Sequence, residues 1–239
     1  MSVVALAAAA CSSGGDSKVK SKQPSTSATT TPTTAPPTTA PKATNVYEHT
    51  QANQLAPAVQ DIPTRVYVPN GMSNTVDVID PNTFTIIDSY PVRRLPQHVV
   101  PSWDMQTLYV NNNQGNTLTP IDPRTGKPGA DIPIDDPYNL YFSPDGTKAI
   151  VMAERNNAVD FYDPKTWTLI KKVHIPHAGV NHADFSADGK TMVASCEFSG
   201  FLVRIDLDTM EITGELNVGG SAVNAVAMIY PFLELGYTQ

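Results

Sequence analysis

Cysteine is almost absent from this chain: 239 residues hold two, Cys11 and Cys196. With so few, there is no disulfide framework, and no Cys-x-x-Cys or Cys/His cluster has zinc-ligand spacing. Cys11 precedes a long Ser/Thr/Pro-rich stretch, so a bond between the two cysteines is not expected. Basic side chains are also scarce, with 16 Lys+Arg against 23 Asp+Glu and a formal net charge of −7. An acidic chain lacks the cation density that neutralises a phosphate backbone, so nucleic acid is not expected as a partner. No apolar run reaches the ~20 residues of a membrane-spanning helix. The repeat region shows no helical apolar period, and no Gly-x-Ser-x-Gly elbow presents a hydrolase nucleophile.

The N-terminus is different in kind. Residues 1–10, MSVVALAAAA, are small and apolar, and Cys11 follows directly. They suit the apolar region and cleavage site of an export signal. Small residues before a cysteine look like a bacterial lipobox, which would place a lipid on Cys11 and hold the chain on the outer face of a cell membrane. Two features depart from that pattern: Ala8 stands where Leu is more usual, and no Lys or Arg precedes the apolar run. Residues 12–45 are Ser, Thr, Pro and Ala for the most part and cannot bury an apolar face, so the composition predicts a disordered tether. The expected division is 1–11 signal and lipobox, 12–45 tether, 46–228 repeats, and 229–239 a tail outside the repeat.

The repeats carry the fold. Thr64–Asp80, TRVYVPNGMSNTVDVID, reads as two alternating strands around a Gly/Asn/Ser turn, and the phrase returns three times, closing on Asp122, Asp163 and Asp206. The four closing aspartates are 42, 41 and 43 residues apart. A period near forty with several strands per unit marks an all-β β-propeller of four-stranded antiparallel blades. The turn chemistry agrees. Ser143-Pro-Asp-Gly146 and Ser186-Ala-Asp-Gly189 join first to second strands, with Met105 standing where blade two should have Gly. Asp80-Pro81, Asp122-Pro123 and Asp163-Pro164 open the turns between third and fourth strands. In blade two, the outer strand is expected over Asp131–Ile134. Val223–Met228 reads as the inner strand of a further blade.

YVPN at Tyr67–Asn70, YVNN at Tyr109–Asn112, VDVID at Val76–Asp80 and SPDG at Ser143–Gly146 together resemble the YVTN-repeat family of bacterial β-propellers. The resemblance covers residues 64–228. It implies seven blades around a channel outside the cytoplasm, and a fold related to the haem domain of dissimilatory nitrite reductases and to lactonase-like propellers. Seven blades would need about 300 residues at this period, whereas the matching stretch holds about 165. The expectation is an incomplete arc of about four blades, as from a frameshift or premature stop. A four-blade ring closed by Val223–Met228 is the arithmetical alternative.

Candidate site residues follow from the repeat. The position four before each turn serine opens the inner strand and holds His98, Asn139 and His182, with Asn224 at the matching place in the last repeat. The position before it holds Gln97, Tyr138 and Asn181. Equivalent positions of successive blades form a ring at the channel mouth. A ring of imidazoles and amides can bind a small ligand, a metal through His98 and His182, or a haem. It can equally be a solvated rim. His174 and His177 could join that mouth or lie in a surface loop, and Glu154 and Glu197 occupy turns after second strands. Cys196 reads as a small buried hydrophobe, and Trp103 and Trp167 as turn residues that pack on a blade or meet a ligand.

No cofactor is required by the sequence. The leading reading is a membrane-tethered binding or scaffold propeller, with no catalytic residue assigned, for a protein, glycan or small-molecule partner. A haem- or metal-associated oxidoreductase, or its accessory protein, is the alternative. Lactonase-like hydrolysis is a third reading, by fold analogy alone.

Overall fold

The computed structural model describes residues 54–219, Ala187 excepted. Cys11, the tether, Asn224, Val223–Met228 and the tail after it lie outside the described residues. After a single 3₁₀ turn at Pro57–Val59, everything regular is strand. Blade one is β1 (Val66–Asn70), β2 (Thr75–Asp80) and β3 (Thr85–Pro91). Blade two is β4 (Pro96–Pro101), β5 (Leu108–Asn112), β6 (Thr117–Asp122) and two short pieces, β7 (Lys127–Pro128) and β8 (Ile132–Pro133), both paired with β6. Blade three is β9 (Asn139–Phe142), β10 (Ala149–Ala153), β11 (Ala158–Tyr162) and β12 (Leu169–His174). Blade four is β13 (Val180–Phe185), β14 (Thr191–Cys196), β15 (Phe201–Asp206) and β16 (Glu211–Asn217). Every pairing is antiparallel between chain neighbours, apart from the extra piece of blade two. The architecture is the expected one, an all-β propeller of antiparallel blades, with blade one showing three strands among the described residues. One strand differs. The outer strand of blade two is not continuous, because Pro128 and Pro133 have no N–H to give the ladder and Gly129 turns the chain between them.

Packing follows from strand alternation. In β10, Ala149 and Val151 face blade two, joining Tyr109, Leu118, Leu140 and Phe142. Ile150 and Met152 point the other way, into a cluster with Met192, Ala194, Val203 and Ile205 of blade four. Because both faces are covered, all five residues of β10 and of β11 are buried. The third cluster joins blades one and two through Val76, Val78, Val110 and Ile121. Each such side chain contributes roughly 1.5–3 kcal/mol when fully buried. The outer strands are left largely exposed, as in β3 and β16.

The turns repeat as chemistry as well as in spacing. Asp80, Asp122, Asp163 and Asp206 each accept a bond from the backbone N–H two residues on, at 2.8, 2.8, 2.9 and 3.0 Å. Backbone hydrogen bonds are the leading cause holding all four carboxyls below their usual range. Four residues after each aspartate the backbone is left-handed, at Phe84, Gly126, Trp167 and Met210. Only Gly adopts that conformation freely; an L side chain pays about 1–2 kcal/mol there. Phe84, with φ 55° and 87% exposure, carries the strain with almost no packing in return. Phe84→Gly is therefore expected to raise Tm by about 2–4 °C, while Phe84→Ala, which keeps the Cβ, leaves it near wild type. Thermal unfolding of the three proteins decides; a lower Tm for Phe84→Gly would refute the strain argument.

Candidate ligand site at the ring of inner strands

Three inner strands bring the candidate residues together. The chain enters each through a left-handed residue, Leu95, Asp136 or Gly179, and two residues later reaches Gln97, Tyr138 or Asn181. Two of the three entries are irregular: the β4–β5 register shifts between Pro96 and Val99, and the β13–β14 register between Val180 and His182. Bulges of this kind re-aim side chains and recur beside functional sites.

The result is a cluster of three rings, one from each of three successive blades. His98 stands edge-to-face with Tyr138 at 5.3 Å and with His182 at 5.5 Å, and Tyr138 meets His182 at 5.8 Å. Asn139 Nδ2 donates to the Tyr141 hydroxyl at 3.0 Å and faces His182 Nδ1 at 3.3 Å. As a donor there, it makes Nδ1 the acceptor and leaves the His182 proton on Nε2. Asn181, fully buried, donates to Glu154 Oε1 at 3.3 Å and, more closely, to Glu197 Oε2. Its own carbonyl accepts from Ser195 Oγ at 3.3 Å.

Buried here without hydrogen-bond partners among the described residues are His98 Nε2, both amide atoms of Asn111 and Asn112 Oδ1. The β4–β5 pairs Pro96↔Asn112 and Val99↔Val110 place Asn111 across from the irregular Gln97–His98 step. Buried polar groups are seldom left unpaired, and each unpaired one costs about 1–3 kcal/mol. Those here lie on the neighbouring strands β4 and β5 of blade two.

Burial sets the charges. It drives the His98 imidazole down to about 4, with repulsion from His182 adding to it. His182 is lowered by burial too, partly offset by Glu197. The Glu154 carboxyl is raised, chiefly by burial, and so is the Tyr138 phenol. At neutral pH the imidazoles are uncharged donors and acceptors. Neutral imidazole is also the form that ligates metals, but among the described residues no group of three or more His, Cys, Asp and Glu is placed to hold one.

Gln97 lies half-buried in β4 beside His98. His177 stacks on Phe201 at 3.7 Å and pairs with Glu215 at 3.0 Å, so it is committed to blade four; His174 is exposed at the end of β12. Cys196 is buried, with its thiol pushed up to about 12 by burial, and is inert. Sequence reasoning missed the role of Asn181 in joining Glu154 to Glu197, although these glutamates are one repeat apart. It also missed the fully buried Asp136, which takes Arg155 Nε at 2.6 Å and Asn113 Nδ2 at 2.7 Å. Nothing in a single repeat signals a bond between blades.

A family model for YNCE-like beta-propellers matches residues 37–179, more than half of the chain. The chain belongs to the YNCE-like beta-propeller family. No curated protein matches it in sequence. Among solved structures it is similar to the hydrazine synthase of Kuenenia stuttgartiensis, at 23% identity and TM-score 0.56 over 65% of this chain and 46% of that one. It is also similar to dihydro-heme d1 dehydrogenase NirN in complex with DHE, at 15% identity and TM-score 0.45 over 67% of this chain and 45% of that one. The chain thus spans less than half the length of either structure. At 23% identity the first likeness speaks to the fold alone, and it agrees with the family.

The depressed imidazoles make a pH prediction. In the unfolded chain His98 takes its proton near pH 6.5, but in the fold only near 4. Between those values the unfolded state binds more protons, so the contribution of His98 to stability is full above the unfolded value and lost as pH falls toward 4. His182 acts in the same direction. Urea unfolding across this window is expected to show a shallower pH slope for His98→Gln than for wild type. Parallel slopes would mean that His98 titrates normally.

Proposed function

We propose that this YNCE-like propeller is an extracytoplasmic, membrane-tethered binding protein of the YVTN-repeat type. It takes a small polar ligand at the ring formed by His98, Tyr138, Asn139, Asn181 and His182. The observation that carries the reading is the meeting of three rings, one of them the His98 imidazole, whose Nε2 is buried and unpartnered among the described residues. A ligand donating a hydrogen bond to that nitrogen and laying an apolar edge among the rings removes the cost of leaving it unpaired. Absence of charge on the imidazoles favours a neutral or weakly cationic guest, with Glu154 and Glu197 close by. Tethering rests on the small-residue run before Cys11 and on the Ser/Thr/Pro spacer.

A second reading has one specific observation in its favour. The unpartnered Nε2 of His98 would be the nitrogen donor if a haem or other metal centre bound here. The remaining ligands would have to come from the guest or from elsewhere, and the Nε2–H tautomer that Asn139 favours at His182 opposes a second imidazole ligand. The first reading is therefore preferred.

Protein isolated from its native envelope tests both. Mass spectrometry of the denatured extract is expected to find a small molecule with wild type that is missing from His98→Ala/His182→Ala. A visible haem band lost in His98→Ala would favour the second reading, and identical empty extracts would sink both. For the tether, wild type is expected in the detergent phase and Cys11→Ser in the aqueous phase. If both partition as soluble protein, the chain is not lipidated.

A further inference from the structure

A well-formed cavity lies away from the ring. It lies at the other end of β4, between the first-to-second-strand turns of blades two and three, with a volume of about 570 Å³. That is within the range of small-ligand sites. It shares no residue with the ring cluster.

Its walls are aromatic: Trp103, Tyr109 and Phe142 line it, with Tyr109 and Phe142 6.4 Å apart. Trp103 is pinned by its indole N–H, which donates to the Pro144 carbonyl at 3.1 Å, and it lies so close over Gly146 that a Cβ there would come within 2.4 Å of the ring. The repeat does not need a tryptophan here. At the next junction Pro144 occupies the equivalent place and packs over Gly189, 3.2 Å from where a Cβ would sit. The other tryptophan of the chain is gathered to the same region. Trp167 sits at φ 56°, where blade two has Gly126, and backs Tyr109 edge-to-face at 5.1 Å. Trp103 thus stands where blade three has Pro144, Trp167 stands where the other blades have Phe84, Gly126 and Met210, and both pack against the cluster that holds Tyr109 and Phe142.

The rim is acidic. Asp104, Asp145 and Asp163 border the cavity, with Lys165 as the one cationic side chain in its lining. Asp104 and Asp163 each use Oδ1 in turn bonds, to Ser102 Oγ at 2.6 Å and to the Lys165 N–H at 2.9 Å. All three carboxyls are held below their usual range, so they are ionised at neutral pH. Aromatic faces beside a rim with three carboxylates and one lysine attract cations with apolar bodies, through ring quadrupoles and charge together.

We propose that this cleft is a second binding site, selective for small organic ammonium cations. The chain's two tryptophans both adjoin the cleft, so intrinsic fluorescence reads it directly. Choline is the probe, and its uncharged carbon isostere, dimethylbutanol, is the control. Choline is expected to change the emission saturably and dimethylbutanol not. Asp163→Asn, which keeps the turn-capping oxygen, should weaken choline by about fivefold, the equivalent of one interaction of about 1 kcal/mol. Lys165→Gln, on an exposed turn, should tighten it. No saturable response to choline, an equal response to both probes, or Lys165→Gln binding no tighter than wild type would overturn the proposal. Since the ring residues are untouched, either site can fail without the other.

Discussion

A blade has two apolar faces and cannot cover either by itself. Val151 needs blade two and Met152 needs blade four, although they are adjacent in one strand. Stability in such an array is close to a sum over neighbour interfaces. The three clusters that join the four blades are therefore what hold everything else in place. The site depends on the same constraint, since His98, Tyr138 and His182 belong to different blades and meet only because those blades are packed at fixed offsets.

That dependence explains the site's electrostatics. A histidine exposed on a single blade would be hydrated. Here each ring is desolvated by rings from its neighbours, so burial outweighs all else and both imidazoles stay neutral. The carboxylates nearby are handled differently. Glu154 and Glu197 share the amide of Asn181, and Asp136 is neutralised by Arg155. This cluster therefore combines uncharged acceptors at the rings with ionisable acids beside them, while the opposite end of the inner strand presents aromatic walls under an acidic rim. The two ends differ because the repeat leaves loop residues free to vary while strand residues answer to packing.

What was legible in the sequence is what each repeat states by itself. The closing aspartates were readable as turn caps because an Asp–backbone bond spans only two residues. Strand positions were readable because both blade faces must be apolar, as in Ala149–Ala153. The ring was readable as a list of equivalent positions. Illegible were the contacts between repeats: that Asn139 reaches His182, that Asn181 joins two glutamates, and that Trp103 lies over Gly146 of the next blade. The broken outer strand of blade two was obscured because Asp131–Ile134 alternates like a strand, while Pro128 and Pro133 decide the ladder.

The central claim is that equivalent positions in separate blades act as one cluster. A double-mutant cycle on His98→Ala and His182→Ala, read by chemical unfolding, tests it most directly. Rings 5.5 Å apart and edge-to-face are expected to couple by about 0.5–1.5 kcal/mol. Strict additivity would show that the two histidines do not share a site.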